Sequence, residues 1–152
     1  MNILYCGDKP MQKGILLSSM SLIGNVEEPL NIYILTVDYS EKGVNYNPVD
    51  KAFAKYLERK LNKSDIGVNV FLVDVTRYFV EELPEANMQS RFTACCMLRL
   101  FADKTDIKER VLYLDTDVLC RKDFSDFYYQ NMDGIEIAGV SDYSVMATLI
   151  PE

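Results

Sequence analysis

Two aspartates separated by a single residue, Asp115 and Asp117, have the types and the spacing that most directly suggest chemistry in this sequence. They follow the apolar run 110–114 (RVLYL) and precede the apolar pair Val118 and Leu119. Two carboxylates held between buried flanks repel each other and lose hydration unless a cation lies between them. Hard oxygen ligands of this kind suit Mg²⁺ or Mn²⁺, which also bind phosphate oxygens. The sequence therefore indicates a metal and phosphate site, with a solvated acidic loop as the alternative.

The segments around these aspartates predict buried strands that alternate with helices. Short and almost wholly apolar runs predict strands at residues 3–6, 30–37, 68–73, 110–114 and 135–140. Helical patterns lie between them at residues 14–23, 51–61 and 91–102. Asn47 as a cap and Pro48 in the first turn are expected to begin the second of these helices.

This alternation predicts an α/β fold with a mostly parallel sheet and helices on both of its faces. In open sheets of this type, ligands bind beyond the carboxyl ends of the strands, where the strand order reverses. Asp8 comes just after the first predicted strand, and Asp115 to Asp117 come directly after the fourth. We therefore expect these two acidic groups to converge on one site.

The composition limits the kinds of partner. The chain has 152 residues, enough for one domain spanning residues 1–152, and its formal net charge is −7, from 23 acidic and 16 basic residues. Such a chain repels nucleic acid and anionic membrane surfaces, so we expect no nucleic-acid partner. A phosphate ligand would need a local positive element, either a metal held by carboxylates or a well-placed arginine.

The absence of histidine excludes several classes of enzyme. Serine-histidine and cysteine-histidine hydrolases, histidine zinc sites and histidine general bases all need a residue that this chain lacks. The four cysteines form no CxxC pair and are expected to be small buried thiols in a reducing cytoplasm. No segment approaches the roughly 20 apolar residues of a membrane span, and the N-terminus does not have the pattern of a secretory signal.

Four segments, in the same order, resemble the motifs of family 8 glycosyltransferases, a retaining group that includes lipopolysaccharide galactosyl- and glucosyltransferases and glycogenin. YLDTDVLCRKDF resembles the Asp-x-Asp segment of that family, and NILYCGD resembles its first strand and uracil-contacting loop. MLRLFADK resembles its Tyr-x-Arg-Leu element, and IAGVSDY resembles the strand and aspartate that follow the metal motif. The resemblance implies the Rossmann-like GT-A fold of nucleotide-diphospho-sugar transferases, over nearly the whole chain.

The resemblance also implies a role for each matching residue. Asp115 and Asp117 would coordinate Mn²⁺ (or Mg²⁺), Asp8 would meet the uracil edge, Arg99 would reach the sugar or diphosphate, and Asp142 would bind hydroxyls of the hexose. The implied donor-binding set is Cys6, Gly7, Asp8, Arg99, Asp115, Thr116, Asp117 and Asp142.

Simpler structural roles stay open for three members of this set. Asp8 could cap the helix that follows it, Arg99 could pair with Asp103 one turn along its helix, and Asp142 could be a turn residue. Family members commonly follow the first aspartate with an acidic or polar pair and an aromatic residue that lies over the uracil. This chain has Lys9, Pro10 and Met11 there, so Met11 would have to cover the base as an apolar surface.

By this resemblance, the function is transfer of a hexose from a UDP-sugar to a glycan or lipid-linked saccharide acceptor, with retention and with a metal. Catalytic domains of the family continue further and bring a late histidine as the third metal ligand. We therefore expect this chain to contain mainly the donor-binding part and to transfer slowly or not at all. Exposed apolar surface should make it self-associate or leave it only marginally stable.

Two alternatives stay open. A non-catalytic nucleotide-sugar-binding module would use the same residues without turnover. A phosphatase of the haloacid-dehalogenase type also places Asp-x-Asp after an apolar strand, but its usual Gly-Thr is replaced here by Val118 and Leu119. The expected location is cytoplasmic, and membrane-peripheral association of a full-length protein is left open.

Overall fold

The computed structural model describes residues 1–41, 43–88, 94–107 and 110–139. Its strands are β1 (Asn2–Cys6), β2 (Leu30–Thr36), β3 (Tyr39–Glu41), β4 (Val44–Tyr46), β5 (Val68–Asp74) and β6 (Leu112–Tyr113). Its α-helices are α1 (Gln12–Ile23), α2 (Lys51–Leu61), α3 (Thr76–Glu81) and α4 (Ser125–Tyr128). Three 3-10 helices span Lys9–Met11, Glu85–Asn87 and Ala94–Lys104. No helix in the described ranges is long and apolar enough to cross a membrane.

Four parallel strands form the central sheet in the order β5-β2-β1-β6. The chain passes from β1 outward to β2 and β5, and then returns to the other side of β1 to form β6. The strand order therefore reverses at β1, and the loops that follow β1 and β6 leave the same edge of the sheet. This confirms the predicted mostly parallel α/β architecture.

Helices cover both faces of this sheet. One core cluster contains Ile15 and Leu22 of α1 and Leu57 of α2, packed on Ile32 and Ile34 of β2. The other contains Phe79 of α3 together with Leu98 and Phe101. These pack on the opposite face of the sheet, against Leu4 of β1 and Leu35 of β2. The alternation of side chains along a strand explains why neighbouring residues enter opposite clusters.

The strand predictions are confirmed for β1, β2 and β5, and two need correction. The fourth strand is only Leu112–Tyr113, shorter than the predicted 110–114. The fifth is wrong within the described residues: 135–139 form no strand, and Ile137 is 87% exposed. Alternating IEIAG residues have a strand pattern, but a strand needs a neighbouring backbone to satisfy its hydrogen-bonding groups.

The helices also differ in detail from the predictions. α1 and α2 are confirmed, but α2 is preceded by Asp50 rather than capped by Asn47. The Asn47 carbonyl instead accepts the Lys9 amide at 2.8 Å, which keeps this segment outside the helix. The third predicted helix is a 3-10 helix over Ala94–Lys104. Its buried residues Cys95, Leu98 and Phe101 recur every three positions, the period at which a 3-10 helix aligns side chains.

The first turn of α1 touches the loop that follows β6. A Cβ built on Gly14 would lie 2.6 Å from the carbonyl oxygen of Thr116 and 3.0 Å from the Cβ of Thr116. Further along the same helix, the Ser21 hydroxyl accepts the Cys120 amide at 2.8 Å. Residues 116–120 therefore run along α1, and glycine at position 14 permits their closest approach.

We expect Gly14→Ala to lower the thermal stability. An added methyl group at 2.6 Å from a backbone oxygen forces a shift, and overpacking of this kind costs about 1–3 kcal/mol. This exceeds the roughly 0.5–1 kcal/mol that alanine gains over glycine inside a helix. Thermal denaturation followed by circular dichroism measures the balance.

Gly24→Ala is the matched control, because Gly24 lies at the other end of the same helix with open space around its Cβ position. Its melting temperature should stay close to that of the parent chain. Equal melting temperatures for the two variants would show that the loop does not depend on this close approach.

Candidate active site

The loops after β1 and β6 meet at one edge of the sheet. Leu4 is paired with Tyr113 in the parallel register, and the Leu114 amide donates to the Leu4 carbonyl oxygen at 3.0 Å. Asp8 and Asp115 thus lie beyond the carboxyl ends of two neighbouring strands. The geometry therefore places at one edge of the sheet the two acidic groups that follow separate strands in the sequence.

Asp115 and Asp117 are exposed, and the two residues after them are exposed as well. Val118 is 41% exposed and Leu119 is 59% exposed. The Val118 amide donates to the Asp115 carbonyl oxygen at 3.1 Å, so the acidic segment is a turn. The expected burial of the flanks is therefore wrong, and desolvation does not force a cation between these carboxylates. Their exposure instead leaves the carboxylate oxygens accessible to a ligand.

Tyr113 links Asp115 to Arg99. The Tyr113 hydroxyl donates to Asp115 Oδ1 at 2.5 Å, and the Arg99 guanidinium lies 4.9 Å from the centre of the Tyr113 ring. Burial raises the pKa of Tyr113 well above its usual value, the hydrogen bond to Asp115 raises it further, and Arg99 opposes the shift. The phenol is therefore a neutral donor throughout the physiological range.

Sequence reasoning missed Tyr113, although one signal was present. Residues two apart in a strand share a face, so Tyr113 and Asp115 were bound to lie side by side if the strand continued into the acidic motif. The alternative role for Arg99 is not observed: within the part of the chain that the structure describes, Arg99 forms no ion pair with Asp103.

Asp8 lies at the start of the Lys9–Met11 turn but does not cap it through its side chain. Its backbone carbonyl accepts the Met11 amide at 3.0 Å, while burial raises the pKa of its carboxyl group. A partly buried carboxylate without a capping role carries an unfavourable charge in the folded chain. This favours a ligand-binding role over the capping alternative.

Cys6 and Gly7 form the buried floor beside Asp8. The Gly7 amide donates to the Leu35 carbonyl oxygen at 3.0 Å, and a Cβ on Gly7 would lie 2.6 Å from Met11 Sδ. Met11 therefore covers the backbone of this loop. Burial raises the pKa of Cys6 beyond the physiological range and that of Cys95 to about 12, so both are neutral structural thiols. The expected burial is confirmed for Cys6 and Cys95, whereas Cys96 and Cys120 are only partly buried.

Thr116 and Asp142 are the remaining members of the predicted donor-binding set. Thr116 lies against Gly14 at the base of the acidic turn. Asp142 lies outside the described residues. Among the residues that are described, no group of three or more histidine, cysteine or acidic side chains is arranged to hold a metal. The carboxylates of Asp115 and Asp117 can supply oxygen ligands. Such ligands fit a hard cation that takes its other ligands from phosphate and water.

An acidic cavity lies at the opposite edge of the sheet, away from Asp8 and Asp115. A cavity of about 450 Å³ is lined by the segment from Gly24 to Glu28 together with Asp123 and Ser125. Glu28 there accepts hydrogen bonds from the N-terminal amine and the Tyr129 hydroxyl, and Asp123 accepts from Ser125. These carboxylates already have partners within the chain.

Comparison with known proteins bears on the family and the fold of the chain. Residues 2–149 match the model of glycosyl transferase family 8. A search of curated protein sequences finds no significant match. Among solved structures, the galactosyltransferase LgtC, crystallised with donor and acceptor sugar analogs, aligns with a TM-score of 0.63 at 18% identity. The alignment covers 87% of this chain and 43% of that one. The chain has the GT-A fold of that neighbour, and it belongs to glycosyl transferase family 8.

Proposed function

We propose that this chain binds a UDP-hexose through a divalent metal and forms the donor-binding part of a retaining hexosyltransferase. The convergence of the two motif loops at the carboxyl ends of β1 and β6 carries this proposal, since a nucleotide and its diphosphate need both. Residues 1–152 would form one nucleotide-sugar-binding domain. The acceptor would be a glycan or lipid-linked saccharide, as in lipopolysaccharide biosynthesis.

Each loop would bind a different part of the donor. Asp8 would accept a hydrogen bond from the uracil, above the backbone of Cys6 and Gly7, while Met11 would supply apolar surface for the base. On the other side, Asp115 and Asp117 would hold Mn²⁺ (or Mg²⁺) against the diphosphate, with Thr116 between them. Asp142 is proposed to bind hydroxyls of the hexose.

Charge neutralisation is the chemistry that this site would supply. When bound, the metal would offset the negative charge that builds on UDP as the bond to the sugar breaks. Arg99 would add a second cation that stays charged at any physiological pH. In a chain with a net charge of −7, both cations would provide local positive charge for the diphosphate. The free thiols also favour a reducing, cytoplasmic location.

Removing either proposed metal ligand should weaken metal-dependent donor binding. We expect Asp115→Asn and Asp117→Asn to weaken UDP affinity in the presence of Mn²⁺ by about tenfold or more, because each loses a charged oxygen ligand. Isothermal titration calorimetry of UDP, with Mn²⁺ and then with EDTA, measures the effect.

Asp65→Asn is the matched control, since Asp65 is an exposed aspartate just before β5, at the opposite edge of the sheet. It should bind UDP as the parent chain does. Mn²⁺-dependent affinity that is equal in the parent and in both site variants would rule out the proposed metal site. UDP-hexose hydrolysis measured in parallel separates a transferase from a module that binds without turnover.

Asp8→Asn should separate stability from donor binding. Because burial raises the pKa of Asp8 in the folded chain, its contribution to stability is largest at acid pH and falls as pH rises through the raised pKa. At pH 7 the neutral variant should therefore melt at or above the temperature of the parent. Its UDP affinity should fall, because asparagine accepts a weaker hydrogen bond than a carboxylate.

Differential scanning fluorimetry and calorimetry of the same samples give both values. A lower melting temperature together with unchanged UDP affinity would assign Asp8 to the fold rather than to the donor site.

A further inference from the structure

We infer that Tyr113 is a positioning residue that orients the metal ligand Asp115 with its hydroxyl and the diphosphate-binding Arg99 with its ring. The inference rests on the proposed function of the site, and Tyr113 lies outside the set of residues proposed to bind the metal and the donor. Its basis is that the Tyr113 side chain makes two contacts, one with Asp115 and one with Arg99.

The hydroxyl contact limits the orientations of an exposed carboxylate. Asp115 projects from a turn where little packing restrains its side chain, and the Tyr113 hydroxyl holds Oδ1 at 2.5 Å. Oδ2 is left to face a ligand. A metal binds more tightly to a carboxylate whose rotamer is already fixed, because less conformational entropy is lost on binding.

The ring contact does the same for the cation. The Arg99 side chain is exposed, and its guanidinium lies 4.9 Å from the centre of the Tyr113 ring. The negative face of the ring attracts the cation at this distance. In the described ranges Arg99 forms no ion pair that would hold it elsewhere. The ring therefore holds the guanidinium beside the strand that ends next to Asp115.

Tyr113 is itself well anchored, which a positioning residue must be. It belongs to β6, where it is paired with Leu4 in the register of the parallel sheet, and its ring packs against the buried cluster that contains Cys6 and Leu98. Functional side chains placed on strands are held more firmly than those on loops. Because Tyr113 is fixed in the sheet, its contacts restrain the exposed Asp115 carboxylate and the exposed Arg99 guanidinium.

This arrangement suits a diphosphate. One phosphate would meet the metal on Asp115 while the other would meet the guanidinium, so the spacing between the two cations determines how well both are reached. Because one side chain contacts both groups, that spacing is built into the strand. Loss of the hydroxyl and loss of the ring should therefore affect different parts of donor binding.

Two variants separate these effects. Tyr113→Phe keeps the ring and removes only the hydroxyl, so Mn²⁺ affinity, followed by electron paramagnetic resonance, should fall by about tenfold. Its affinity for UDP in EDTA, which relies on Arg99, should stay unchanged. Tyr113→Leu removes the ring as well and should weaken UDP binding in EDTA too. Tyr33→Phe is the control, because Tyr33 is stacked on Phe71 and lies on β2, which β1 separates from β6; it should match the parent in both measurements.

The double variant Tyr113→Phe with Asp115→Asn tests the link directly. If the hydroxyl acts through Asp115, adding Tyr113→Phe to Asp115→Asn should cause no further loss of Mn²⁺ affinity, whereas a merely structural effect would add to it. Parent-like Mn²⁺ affinity in Tyr113→Phe, with Asp115→Asn defective, would overturn this inference and leave the proposed function intact. Asp115→Asn that binds Mn²⁺ as the parent does would overturn both.

Discussion

The parallel pairing of β6 with β1 is the constraint on which the site depends. Only Leu112 and Tyr113 form this strand, yet their pairing with Ile3 and Leu4 reverses the strand order and brings two distant loops to one edge. The close approach of Gly14 to Thr116 then sets how near the acidic turn lies to α1. The proposed nucleotide-sugar site thus depends on one short strand and on one close contact at a glycine, while the larger β1-β2-β5 sheet supplies rigidity.

Electrostatics bears on how so acidic a chain would bind the proposed anionic donor. The carboxylates of Asp115 and Asp117 are exposed, so the free chain holds them hydrated at little cost and a cation can reach them. The buried thiols of Cys6 and Cys95 stay neutral because burial raises their pKa values, and they add no repulsion. Arg99 is the fixed cation held beside this edge by Tyr113. A bound divalent metal would complete the positive surface that a diphosphate requires.

Most of the sheet could be predicted from the sequence, because apolar runs indicate buried strands. About half of the site could be predicted as well, because its loops follow those strands. The Asp8 and Asp115 loops follow from strand ends and the reversal rule. Other features depend on tertiary partners that no local pattern encodes. The segment 135–139 has a strand pattern but no neighbouring strand in the described residues, and Asn47 is held out of α2 by the Lys9 amide. The contact of Arg99 with the Tyr113 ring likewise joins two elements that are separate in the sequence.

The most direct test is to locate Mn²⁺ relative to UDP by nuclear magnetic resonance on the ¹⁵N-labelled chain. With UDP present, substoichiometric Mn²⁺ should broaden the amide signals of Gly7, Asp8, Thr116 and Asp117 first, because the account places one metal and nucleotide site between these loops. The acidic cavity near Glu27 and Glu28 provides a competing position at the opposite edge. Earlier broadening there, with the two motif loops unaffected, would contradict the account.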